Sequence, residues 1–268
     1  MPMKHWAAVA LLLPLLLCEG RVAASDANTT PFRQAALSAI PLDRLNLADR
    51  AKVEEVLQGS SLYVRGPVES FPCRPAIYRW LLDYPEWGVH AWRQLGATQI
   101  KVERQKDDTF LGQDQSGGEL RWRLVHEDSG KRVWYAEGSG RLAPLTPTVT
   151  IRAVLLLRYQ EVMGEDGRIG IRHRTEVFAQ YDPKSATVIQ KLLQNSSETL
   201  GKKALEQVEL FFSGMAWYLT ENPEWGQKVM SSRAADAEQK RAYERLAVEL
   251  RTLTNQGGAG ASVKTTKR

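Results

Sequence analysis

The feature that most constrains this chain is the order of its patterns. A helical period comes first, then a long run of alternating segments divided by turns, then one strongly apolar helical stretch. The alternating run occupies 98–181 and the closing helix 182–222. A helix that is apolar around much of its circumference must be enclosed, and consecutive hairpins are the cover at hand. The class expected is therefore α+β, with an antiparallel sheet of about seven strands packed on the closing helix.

Turn chemistry divides the run. Lys106-Asp107-Asp108, residues 114–118, Ser129-Gly130 and Asp166-Gly167 separate apolar alternations, and Asp-Gly between such runs is a strong hairpin signal. A longer connection falls at 143–147, and a further short strand is expected at 60–64. Before the run, Asn46 caps a helix with Asp49 three residues on, and Pro75 suits the first turn of another through Ile77, Trp80 and Leu81. The closing helix starts with Asp182-Pro183, and Gly201 is a place for a kink or a break into two helices. Leu205, Val208, Phe212, Met215 and Leu219 then recur at helical spacing, widened by Phe211 and Tyr218.

At the N-terminus, Lys4 and His5 precede an apolar stretch from Trp6 to Leu17, followed by Val22-Ala23-Ala24. That pattern describes a secretory signal peptide cut after Ala24, which directs the chain to a periplasm, an envelope or the exterior. The stretch falls short of the ~20 residues a spanning helix needs; an uncleaved anchor remains the competing reading. A lipoprotein cut before Cys18 is the third, weakened by Leu17 where a small residue is usual. Cleavage lowers the formal charge from +5 to +4 and leaves Cys73 as the single thiol, so no internal disulfide can form. Hydrophobic content of 43% and charged content of 25% suit a chain that buries its core without covalent staples. The divisions expected are a signal at 1–24, a linker at 25–41, a helix at 42–59, the sheet and helix domain at 60–222, a charged helix at 223–253 and a disordered basic tail at 254–268.

Strand parity assigns faces. Leu120, Trp122, Leu124 and His126 share one side of their strand. So do Ile151, Ala153, Leu155 and Leu157, and likewise Ile171, His173, Thr175 and Val177. Arg121, Arg123, Arg132, Arg152, Arg172 and Arg174 take the other parity, although Val154 and Leu156 join Arg152 there. One face is thus expected to be packed and one wet, with an arginine band that suits an anionic membrane surface or an ordinary solvated face. His126 and His173 are the ionisable groups placed inside.

Catalytic signatures are missing. No Gly-x-Ser-x-Gly elbow, phosphate loop or dinucleotide fingerprint occurs, and Gly138-Ser139-Gly140 is too weak to carry one. His90, His126 and His173 are isolated, and adjacent pairs such as Glu54-Glu55 and Asp107-Asp108 diverge or lie in turns. No metal, cofactor or nucleic-acid partner is expected. Pro85-Glu86-Trp87-Gly88 recurs as Pro223-Glu224-Trp225-Gly226, which reads as two helix terminations.

The element order of strand 60–64, helix 75–93, six further strands and long helix 183–220 resembles the helix-grip fold of the START-related, SRPBCC-type superfamily. The likeness also rests on the aromatic helix end from Phe211-Phe212 to Trp217-Tyr218-Leu219. It implies a curved antiparallel sheet wrapped around the C-terminal helix with an elongated apolar cavity between them. No family motif exists from which catalytic residues could be carried over.

The function expected is the binding of a hydrophobic or amphipathic, lipid-like small molecule. The lining expected comprises Trp122, Leu124, Tyr135, Ile151, Ala153 and Leu155, with Ile171, His173 and Thr175 from the last strand and Leu205, Val208, Phe212 and Met215 from the helix. Two alternatives stay open: a cyclase- or hydratase-like enzyme using His173 or Tyr135, and an envelope interaction protein with a packed interior.

Overall fold

The computed structural model of the chain describes residues 26–141, 147–182, 185, 197–231, 239, 241–246 and 248. The expected signal at 1–24, the basic tail and Pro183 lie outside them. The chain is α+β. Helices α1 (Asp26–Ala39) and α2 (Leu47–Gly59) precede strands β1 (Leu62–Arg65) and β2 (Glu69–Pro72), then helices α3 (Pro75–Asp83) and α4 (Pro85–Gln94). Six strands follow: β3 (Lys101–Arg104), β4 (Phe110–Gln113), β5 (Glu119–Asp128), β6 (Lys131–Arg141), β7 (Thr148–Met163) and β8 (Ile169–Tyr181). Helices α5 (Ser197–Glu221) and α6 (Pro223–Ser231) come next. No helix among the described residues is long and apolar enough to cross a membrane.

The sheet has eight strands in the order β1-β8-β7-β6-β5-β4-β3, every pairing antiparallel, with β2 also on β8. The eighth strand, unforeseen from the sequence, is β2. It pairs with Gly170–His173 of β8, while β1 pairs with Glu176–Ala179 further along the same edge. Four residues ending in Pro72 carry little alternation, so the strand exists because β8 offers an open edge. The step between the two short strands passes Gly66, where a Cβ would collide with the buried Glu209 carboxylate of α5.

Local chemistry explains the other elements. The Asn46 side chain accepts the Asp49 N–H at 2.9 Å, capping α2 as expected. Asp114 accepts from Ser116 N and Gly118 N at 2.8 and 2.7 Å, and Gly117 takes a φ of +82°, which closes the β4–β5 turn. Helix α5 runs unbroken through Gly201. Pro85 and Pro223 stand where one helix ends, at Asp83 and Glu221, and the next begins. Each opens one, as proline can at a first helical position where its missing N–H is no loss.

Both faces of the sheet are covered along β6, β7 and β8, which corrects the picture of one wet face there, while the outward Arg121 of β5 stays exposed. The segment expected as a linker carries helix α1 over Asp26–Ala39. Its Ala36 and Ile40, with Val53, Val56 and Leu57 of α2, pack on Val133, Tyr135, Val154, Leu156 and Phe178. The other face carries Leu157, Tyr159 and Ile171 against Tyr78, Trp80 and Leu81 of α3, with Met215 and Leu219 of α5. Tyr243 and Leu246, from the charged C-terminal stretch, close that inner core against Trp80, their rings 5.1 Å apart for the tyrosine. The arginine band is broken up accordingly. Arg123 pairs with Asp49, Arg152 with Glu55, and Arg172 donates to Ser70. Arg132 has inner parity; it is buried and pairs with Asp83 at 2.6 Å and Glu127 at 3.2 Å.

Leu156 tests the double cover. It is fully buried on the arginine side of β7. Leu156→Ala should cost about 2–5 kcal/mol in denaturant unfolding, whereas on a wet face the same change would shift stability by less than ~0.5 kcal/mol.

Candidate functional site

The inner face of the sheet is built from small and large residues in alternation across strands. Gly112 on β4, Ala136 and Gly138 on β6 and Ala153 on β7 leave room that Trp122 and Trp134 wall in. A cavity of about 140 Å³ results. Leu82, Pro85 and Val89 from α3 and α4 close one side, and Val208, Phe211 and Phe212 from α5 close another. Its lining is carbon almost throughout; His173 and Thr175 are the polar groups at its β8 wall. Gly138 is required where it stands, since a Cβ would press within 2.5 Å of the Glu119 carbonyl oxygen.

The cavity shares Asp114, Gly118 and Glu119 with a second, polar cleft of about 700 Å³. That cleft lies between the end of α4 and the β4–β5 turn. Its lining mixes amides (Gln94, Gln99, Gln113, Gln115) with Arg93, Lys101, Asp114 and Glu119, so its fixed charges balance. Several of these groups already bond one another: Gln113 donates to Glu119 at 2.7 Å, and Gln115 donates to Gln99. An apolar chamber thus borders a polar, charge-balanced cleft.

Of the residues expected from sequence, Trp122, Ile151, Ala153, Leu155, His173, Thr175, Val208 and Phe212 line the cavity. Leu124, Ile171, Leu205 and Met215 do not; they lie in the packed interior beside it, Ile171 and Leu205 with no exposed surface. Tyr135 is on the wrong face. Its neighbours Val133 and Leu156 pack under α1 and α2, its hydroxyl donates to Glu137 at 3.1 Å, and burial followed by Glu137 pushes it up to about 12. His126 is also displaced, because the β5 register shifts between Leu124 and His126 and sets it opposite the outward Val133. Residues not foreseen include Val89, Ile100, Val102, Trp134, Ala136 and Phe211. Phe211 was visible in the widened apolar stripe of α5. Trp134 and Ala136 alternate with Val133 and Tyr135, so both faces of β6 are apolar and parity alone could not choose between them.

His173 holds three elements together. Its Nε2 faces the Glu69 carboxylate of β2 at 3.3 Å, and its Nδ1 meets the Tyr78 hydroxyl of α3 at 2.7 Å. With the Nε2–H donating to the Glu69 carboxylate, the Tyr78 hydroxyl donates to Nδ1, and the ring is neutral. Phe71 packs edge-on at 5.1 Å, and Tyr159 stands 5.5 Å from Tyr78. Burial pushes the Tyr78 phenol well above its ordinary value, so it stays a donor. Both imidazole nitrogens are engaged, which leaves His173 presenting ring carbon to the cavity. As arranged, it ties α3, β2 and β8 and offers no free base. Cys73, just before α3, is equally inert: it is buried, and burial raises its thiol to about 12.

No family model matches the chain, and no curated protein matches it. Solved structures with some likeness include a conserved protein from Geobacillus kaustophilus, 13% identical over 60% of this chain and 96% of that one, with a TM-score of 0.39. Another is a hypothetical protein from Helicobacter pylori, 10% identical over 59% and 88% of the two chains, with a TM-score of 0.35. Scores this low carry no argument about fold or function.

Two outcomes follow from the site. Burial lowers the His173 pKa below 6.5, outweighing the bond and charge of Glu69, which act to raise it. The unfolded chain then takes up this proton at a higher pH than the folded one. Its contribution to stability is complete above pH 6.5 and is lost as the pH falls below that value. The limiting slope is about 1.4 kcal/mol per pH unit for one proton, and it should vanish in His173→Gln when urea midpoints are compared across this range. Cys73 should resist a thiol reagent in the native protein and react fully once the chain is unfolded.

Proposed function

We propose that this chain is a helix-grip protein of the START-related, SRPBCC type. It would hold a small amphipathic molecule between its sheet and α5. One observation carries the reading: an apolar cavity beside a polar, charge-balanced cleft that shares Asp114, Gly118 and Glu119 with it. Small-ligand sites pair an apolar lining with few polar groups, and a chamber without such a role would ordinarily be filled by side chains. The leader-like pattern at 1–24 supports an exported setting, in a periplasm or envelope.

Size narrows the ligand. Apolar cavities of about 150 Å³ hold a molecule such as benzene, and this one measures about 140 Å³. The apolar end is therefore a single ring or a short branched chain, and a long acyl chain does not fit without opening the sheet from α5. The cleft, with its amides and equal numbers of Arg or Lys and Asp or Glu, suits a neutral polyhydroxylated or zwitterionic head over a strongly charged one. Binding without chemistry is favoured over catalysis, since both His173 nitrogens are occupied and Tyr135 is on the far face.

Native mass spectrometry of the purified protein should reveal a bound small molecule. After its removal, toluene and indole should quench or shift the fluorescence of Trp122 and Trp134, which line the chamber. Ala153→Leu fills the same space; it should abolish this uptake while leaving the melting temperature unchanged or raised. A chain that carries no ligand and answers to neither probe, or an Ala153→Leu variant that binds like the parent, overturns the proposal.

A further inference from the structure

The arginines of the outer face resolve into local pairs and one unbalanced cluster, which is independent of the cavity. Its centre is Glu176 of β8, a carboxylate with no exposed surface. Glu176 Oε1 accepts the Tyr63 hydroxyl at 2.7 Å and stands 3.5 Å from Arg65 Nε, while Oε2 pairs with Arg158. One carboxylate thus already serves two guanidinium groups and a phenol. A third guanidinium, Arg174, sits directly opposite Arg158 across the β7–β8 ladder. Like charges in that position are destabilising. The Arg174 Nε is buried and has no hydrogen-bond partner.

The excess is two positive charges in a half-buried patch. Burial first, then the neighbouring Arg65 and Arg158, push Arg174 below its ordinary value, with Glu176 opposing. Tyr63 adds no negative charge, since burial and then Glu176 hold its phenol well above its ordinary 10. Phe32 of α1 lies 4.0 Å over the Arg65 guanidinium, fixing it without neutralising it. Arg65 and Arg158 keep 28% and 39% of their side-chain surface exposed, so the patch is reachable from solvent.

We propose that Arg65, Arg158 and Arg174 form a binding site for a phosphate-type dianion. The guanidinium fork matches phosphate oxygens in paired hydrogen bonds, and a dianion cancels the charge that Glu176 leaves uncompensated. The phosphate is either that of a soluble monoester or that of a monoester lipid headgroup such as phosphatidic acid; both present three free oxygens and the dianionic charge.

Inorganic phosphate titrated calorimetrically into the full chain, at constant ionic strength with chloride as control, tests the site. Vesicles of phosphatidylcholine with and without phosphatidic acid test the lipid source by co-flotation. Arg174→Gln should weaken the binding by about tenfold to a hundredfold, and Arg121→Gln, exposed elsewhere on the same face, should leave it intact. Without phosphate, Arg174→Gln should melt at or above the parent, because it relieves repulsion and breaks no bond. Binding of free phosphate assigns the site to soluble esters, and flotation with phosphatidic acid alone assigns it to headgroups. The inference is overturned by phosphate binding no better than chloride with no flotation. It is overturned equally by undiminished binding in Arg174→Gln, or by a lower melting point that would mark the residue as structural.

Discussion

The long β7–β8 ladder is the constraint on which the rest depends. It pairs residues continuously from Ile151 and Tyr181 to Met163 and Ile169, and both of its faces are buried along most of that length. Alternate residues therefore belong to different chemistry. Ala153, Leu155, His173 and Thr175 border the inner chamber, while Val154, Leu156, Phe178 and Glu176 lie on the outer side. A slip of one residue would exchange the two sets, placing Glu176 in the chamber and His173 among arginines. The double cover makes such a slip far costlier than in a sheet with one wet face.

The chamber persists because its walls are held from outside. Small side chains on β4, β6 and β7 leave a gap that relaxation would close if α3 or α5 could sink toward the sheet. Tyr78, His173 and Glu69 bind α3 to β8 and β2 by directional bonds. On α5, the buried Glu209 accepts the Thr175 N–H at 3.3 Å and fills the space above Gly66. Polar ties of this kind set a distance between layers that apolar packing alone would shorten. They are the reason the interior polar groups read better as spacers than as catalysts.

Much of the fold was legible in residues whose signal is local. Asn46 and Asp49 marked a helix start, Asp166-Gly167 and residues 114–118 marked hairpins, and the α5 stripe marked a buried helix. The eight expected residues that line the cavity, such as Trp122, Ala153 and Val208, came from parity and helical period. Errors cluster where a partner distant in sequence decides. Tyr135 and Trp134 are adjacent, apolar and equally plausible as lining, and only the helices over Tyr135 separate them. Segment 25–41 has weak amphipathicity, so its helix is sustained by the sheet it covers and not by its own pattern. Strand β2 exists because β8 had an unpaired edge, and His126 changed face because of one bulged residue.

By itself the sequence determined the periods, the turns and the parity of each strand, because these follow from dihedral preferences and side-chain alternation within a few residues. It also determined that the inner face of the sheet would be largely apolar, though not that Arg132, Glu176 and Glu209 would be buried. Only the tertiary structure decided which faces were covered, where the packed core ended and the chamber began, and which arginines found partners. Those outcomes depend on free volume and on charge balance between strands and helices far apart in the chain. Neither quantity is a property of any local window: Arg132 and Arg174 look alike in sequence, yet one is buried between two carboxylates and the other faces a second arginine.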